Sequence, residues 1–146
     1  MGQQQLMIIV MAFIVVGIAV VAGIMIFTDN AIDRNRDAVM SDLLNLTARA
    51  HAYYRRPRVY GGGEGSFVGL DDNIQGMRKL VNTASYPWIN DNGRYRISTA
   101  GTALRVVLNG TGFEPGKDPT VPVSVTIAVY SDSISIVTAG GPLVAN

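Results

Sequence analysis

Between Leu6 and Phe27 the chain carries 22 residues without a charge, most of them Leu, Ile, Val, Met and Ala. As a helix rising about 1.5 Å per residue this run is roughly 33 Å long, close to the roughly 30 Å hydrocarbon core of a bilayer. A membrane span is therefore physically available. A secretory signal would begin with basic residues and hold a shorter apolar core of about 7–15 residues. Met1–Gln5 carries no charge and the apolar core is too long, so the segment is expected to be retained in the working protein.

From Thr28 to Arg56 the pattern changes. Charged residues appear, while Ile32, Val39, Leu43, Leu46, Ala50 and Tyr53 recur at seven, four, three, four and three residues, which places them on one face of a helix. No proline interrupts Leu6 to Arg56, and the only glycines there are Gly17 and Gly23. The expectation is one unbroken helix of about 50 residues, apolar all round in its first half and amphipathic in its second. Thr28, Asp29 and Asn30 are also competent caps for a separate second helix. Pro57 ends the run, because proline disfavours helical backbone at the preceding residue and has no donor of its own. Arg55, Arg56 and Arg58 sit where cations complement the helix C-terminal dipole.

Beyond Pro57 the glycines Gly61, Gly62, Gly63 and Gly65 predict a flexible loop. A phosphate-binding loop would follow a strand and supply Lys-Ser or Lys-Thr at a helix start; here the loop follows a helix and carries Glu64. A short helix is expected from Asp71 or Asp72 to about Thr83, with Ile74, Met77, Leu80 and Val81 on one face. Tyr86-Pro87-Trp88-Ile89 is expected to pack it down, and Asn90-Asp91-Asn92-Gly93 is a turn signal. The remainder reads as strands at Tyr95–Thr99, Ala103–Leu108, Val121–Tyr130 and Ser133–Thr138, with a connection at Asn109–Pro119 and a hairpin at Ser131-Asp132. In the third, Val121, Val123, Val125, Ile127 and Val129 alternate with smaller residues, so one face is buried and the other is open or covered by small contacts. The fold class is α+β: a long N-terminal helix and an antiparallel head sheet of about four strands. Its divisions are residues 1–27 (apolar helix), 28–56 (amphipathic helix) and 57–146 (head).

The whole chain has 12 basic and 11 acidic side chains, a net charge of +1, and no cysteine. This balance offers no polyanion-binding surface, so nucleic acid is not an expected partner, and disulfides and thiolate chemistry are excluded. The single histidine, His51, has no Ser or carboxylate at a recognisable catalytic spacing. Asp29, Asp33 and Asp37 lie on one helix face but alternate with Arg34 and Arg36, which fits a solvated ion-pair face better than a cation site. No cofactor, metal or catalytic residue is expected. Asn45-Leu46-Thr47 and Asn109-Gly110-Thr111 match the N-glycosylation pattern, with Asn109, in an expected turn, the better candidate.

This layout resembles the type IV pilin family, which includes archaeal pilins and secretion-system pseudopilins. The resemblance is carried by about the first 55 residues, and most closely by Gln3-Gln4-Gln5-Leu6-Met7-Ile8-Ile9-Val10, which is similar to a pilin start just after leader removal. It implies Met1 as the mature, methylated N-terminus in preference to Gln3, since cleavage after Gly2 would put Met7 at the fifth position and leave no polar group there. Gln5 then stands where the family usually carries a glutamate that pairs with a neighbour's terminal amine. The family's helix often carries a proline near residue 22, a position that is here Ala22. Gly17 and Gly23 are the candidate weak points in its place, or else sites of close helix approach. The resemblance further implies an extracellular homopolymer cored by Leu6, Ile9, Phe13, Val16, Val20, Ile24 and Phe27. Its partners would be identical subunits, the cytoplasmic membrane before assembly, a prepilin peptidase and the pilus assembly machinery. A minor pseudopilin or a single-span anchored binding protein are the alternatives.

Overall fold

The computed structural model describes residues 2–116 and 120–139. A single helix, α1 (Gly2–Arg55), runs through the apolar and amphipathic segments without a break, so Thr28-Asp29-Asn30 starts no second helix. Thr28 lies within α1 and its hydroxyl donates to the Ile24 carbonyl at 3.0 Å. The expected stripe is the face that the head covers: Val39, Leu43, Leu46, Ala50 and Tyr53 are buried, together with Thr47, and Ile32 at the lower edge is half-buried.

The helix stops one residue before Arg56, and the chain folds back to close it. Gly63 donates its N–H to the Tyr53 carbonyl, Gly65 to Tyr54 and Glu64 to Arg56, at 2.8 to 3.0 Å. The glycine loop is thus an ordered cap on the carbonyls that a helix end leaves unpaired. Gly61 and Gly65 take φ of +75° and +82°, a region closed to most side chains. A short 3-10 turn, Arg58–Tyr60, precedes it.

Helix α2 (Ile74–Leu80) is shorter than expected. Asn73 caps it by accepting from the Gly76 N–H at 2.9 Å, and Val81 is already extended. The sheet is an all-antiparallel meander in the order β1 (Trp88–Ile89), β2 (Gly93–Thr99), β3 (Arg105–Pro115), β4 (Pro122–Tyr130) and β5 (Ile134–Ala139). The strand beyond the expected four is the two-residue β1, joined to β2 through the Asn90–Gly93 turn, where Asn90 donates its backbone N–H to the Gly93 carbonyl.

The largest correction concerns β3. The stretch expected to be a connection from Asn109 is strand as far as Pro115. Gly110 and Gly112 hide the alternation, because each stands at an inward position where α1 or the core comes too close for a side chain. A Cβ at Gly110 would lie 2.8 Å from Val39 Cγ1 and 3.0 Å from Tyr95 Cε1, and one at Gly112 would overlap Asn35. On β4, Val123, Val125, Ile127 and Val129 face the core as expected, whereas Val121 precedes the strand and is exposed. Thr126 and Ala128 on the opposite face are also buried.

One core joins these layers: α1 packs on β3 and β4, with Phe67, Leu70, Met77 and Leu80 closing its side and Tyr95 and Ile97 entering from β2. The fold class is the expected α+β, a long apolar N-terminal helix with an antiparallel sheet, pilin-like in outline.

Candidate assembly surface

Among the described residues, none of the head reaches the first half of α1. Every large apolar side chain from Leu6 to Phe27 is exposed, from 49% at Val10 to 79% at Phe27. The expected core-packing residues Leu6, Ile9, Phe13, Val16, Val20, Ile24 and Phe27 all belong to this set. Complete burial of one such side chain is worth about 1.5–3 kcal/mol, so the segment has a strong thermodynamic demand for an apolar environment that the other described residues do not supply. Its length and composition also suit a membrane crossing.

Gly17 and Gly23 are helical, and an added Cβ at either would meet no atom within 4 Å. Within one subunit they therefore leave open notches on an otherwise greasy rod. Gln5 is exposed in the opening turns of α1, and Met1 lies outside the described residues.

The amphipathic half transmits the orientation of that rod to the head through specific polar ties. Asp42 Oδ2 accepts from the Tyr95 hydroxyl at 2.6 Å and from the side-chain amides of Asn90 and Asn92, each at 2.8 Å. Burial raises the Asp42 pKa, but the hydrogen bonds from Asn92, Tyr95 and Asn90 outweigh it and hold the carboxyl below its ordinary value. Burial, and then the Asp42 carboxylate itself, push the Tyr95 phenol well up. Asn35 adds a fourth tie, donating to the Asn92 carbonyl at 2.9 Å. Near the other end of the head, His51 Nε2 lies 2.8 Å from the Tyr130 carbonyl and donates to it, and Arg49 donates to the Leu80 carbonyl at 3.2 Å. His51 is thus a peg between helix and sheet.

The two glycosylation candidates separate clearly. Asn109 does not lie in a turn: it sits in the middle of β3, opposite Thr126, and its amide donates to Ser124 Oγ at 3.1 Å and Thr126 Oγ1 at 2.9 Å. Asn45 is exposed on α1, but Thr47 of its triplet is buried with its hydroxyl donating to the Leu43 carbonyl at 2.9 Å.

Comparison with protein-family models, with curated proteins and with solved structures returned no match. The functional reading therefore rests on the geometry of this chain. Asp42 was invisible to the sequence reading, because its role depends on a turn 48 residues away. So was the outward face of α1, where Ser41, Leu44, Ala48 and Ala52 line up opposite the buried stripe and stay exposed.

Proposed function

We propose that this chain is the repeating structural subunit of a helical, type IV pilin-like extracellular filament serving adhesion, motility or surface interaction. The observation that carries the reading is the continuity of α1: one helix holds a folded head at one end and, at the other, an apolar run that no other described residue covers. The run is held in the cytoplasmic membrane first. A peptidase and assembly machinery of the pilin type then move it into a polymer, where neighbours' apolar runs replace lipid as the solvent. Contacts that repeat without closing produce a fibre rather than a ring. Gln5, by its carboxamide, accepts a hydrogen bond from a neighbour's terminal amine in place of the family's glutamate.

The test is Val15→Asp, in the middle of the run. A charge there costs about 3 kcal/mol in an apolar phase, multiplied along a polymer, so fibres visible by electron microscopy of sheared cell-surface material should disappear. Normal fibres carrying this substitution would contradict the reading. The same segment also suits a single-span membrane anchor, and that reading predicts the chain in the membrane fraction with no fibres from the unmodified protein.

A further inference from the structure

The near balance of 12 basic and 11 acidic side chains over the whole chain hides a segregation on the head. Strands β2, β4 and β5 contain no acidic residue, and β3 contains none before Glu114. Helix α1 covers one face of the sheet. The other face carries two cross-strand rows over β2, β3 and β4: Arg94, Thr111 and Ser124 in one, Arg96, Asn109 and Thr126 in the next. With strands about 4.8 Å apart and the rows two residues apart, these six side chains form a polar field of about 10 Å by 7 Å. Its hydrogen bonds run one way. The Thr111 hydroxyl donates to Asn109 Oδ1 at 3.3 Å, and the Asn109 amide donates to Ser124 Oγ at 3.1 Å and Thr126 Oγ1 at 2.9 Å. Ser124 thus receives a bond and keeps its own proton to give, with no acceptor for it among the described residues. Arg94 and Arg96 are exposed, and neither pairs with a carboxylate among the described residues. The Arg94 guanidinium is steadied over the Phe113 ring, 5.7 Å from its centre. The field is therefore rich in donors and short of acceptors.

We infer that this outward sheet face binds an acidic polysaccharide, with Arg94 and Arg96 taking its carboxylates, Ser124 donating to its ring or hydroxyl oxygens, and Thr111 Oγ1 accepting from its hydroxyls. A planar guanidinium grips a carboxylate through two parallel N–H bonds. The Asn109 network fixes the neutral partners before the ligand arrives, so little ordering is lost on binding. Charge density selects the class of polymer. Duplex DNA presents a charge about every 1.7 Å and draws its affinity from many cations at once, whereas two guanidiniums at one edge of a neutral hydroxyl field suit a polymer with sparse charge and many hydroxyls. None of the six positions is aromatic, so a nucleobase finds no ring to stack on within the field. The inference goes beyond the filament reading and needs only the folded head.

The test uses the full chain in uncharged detergent micelles at fixed ionic strength, titrated calorimetrically with polygalacturonate, with uncharged dextran and with duplex DNA. Polygalacturonate should bind more tightly than either of the others. Arg96→Gln should weaken the polygalacturonate complex roughly tenfold, the worth of one charge-assisted hydrogen bond, and lower the slope of log affinity against log salt. Ser124→Ala should weaken it several-fold and leave that slope unchanged, a split that a general loss of structure would not produce. Arg56→Gln, an exposed change beyond the end of α1, should alter neither. No binding of polygalacturonate, equal binding of dextran, or an Arg96→Gln chain that binds like the unmodified one would each overturn the inference. Tighter binding of DNA would overturn it in favour of a nucleic-acid face. Because single chains in micelles suffice, a failure to form fibres would leave the inference standing, and its own failure would leave the filament reading untouched.

Discussion

At the residue scale the head depends on a few polar groups placed where apolar packing alone would leave the helix free to slide. Asp42 is the chief of these, because one carboxylate oxygen satisfies three donors from β2 and the β1–β2 turn. Hydrogen bonds to a charged group contribute about 1.5–3 kcal/mol, and stripping the acceptor leaves its donors unpaired. Asp42→Ala should therefore lower head stability by about 3 kcal/mol, measured by denaturant unfolding of the full chain in detergent, with Tyr95→Phe costing about half as much. The pH dependence has a definite sign. The folded carboxyl lies below its ordinary value of 3.8, so its stabilisation is complete above that value and is lost as pH falls through the folded pKa. Asp42→Asn should flatten the acid limb of a stability-against-pH curve. An unchanged limb would show that Asp42 does not carry it. Gly110 offers an independent check on the packing. Alanine there meets Val39 and Tyr95 within 3.0 Å, and overpacking of this kind costs about 1–3 kcal/mol, whereas Gly61, with open space around it, should lose stability only through its backbone conformation.

At the scale of elements, α1 has two halves with different requirements. The second half is helical because the head pays for it in buried Val39, Leu43, Leu46 and Tyr53. The first half is helical with no tertiary contact among the described residues, as its uninterrupted apolar composition permits in a low-dielectric phase where backbone groups must pair internally. Gly17→Ala and Gly23→Ala each remove a helix-weakening residue worth about 1 kcal/mol and meet no neighbour in the subunit. Helicity in micelles, read by circular dichroism, should hold or rise in both. A fall would mean that the subunit uses these notches internally. The strands should respond differently from the run: Ser135→Asp, on exposed β5, is expected to leave fibre yield near that of the unmodified chain, while Val15→Asp abolishes it.

For the whole molecule, the sequence pattern was most legible where periodicity and composition pointed the same way. The unbroken helix, its buried stripe, its end at Pro57 and the final hairpin all follow from apolar spacing and one proline. Legibility failed where a tertiary contact chose the residue. Gly110 and Gly112 read as a loop because glycine suits loops, yet here they are strand positions emptied to admit α1 and Tyr95. The glycines after Pro57 read as flexible and are instead an ordered helix cap. Of the assembly surface, the apolar run was evident from composition, but the polar ties that fix the head on α1 were not, since Asp42, Asn90, Asn92 and Tyr95 are spread along the sequence and meet only through the topology. The central claim is that Leu6–Phe27 forms the interior of a polymer. Helical reconstruction by cryo-electron microscopy of fibres sheared from the cell surface tests it most directly. The account predicts a core of helices fitted by Leu6–Phe27 and an outer shell fitted by the sheet. Recovery of the chain from membranes alone, with no fibre containing it, would contradict the account.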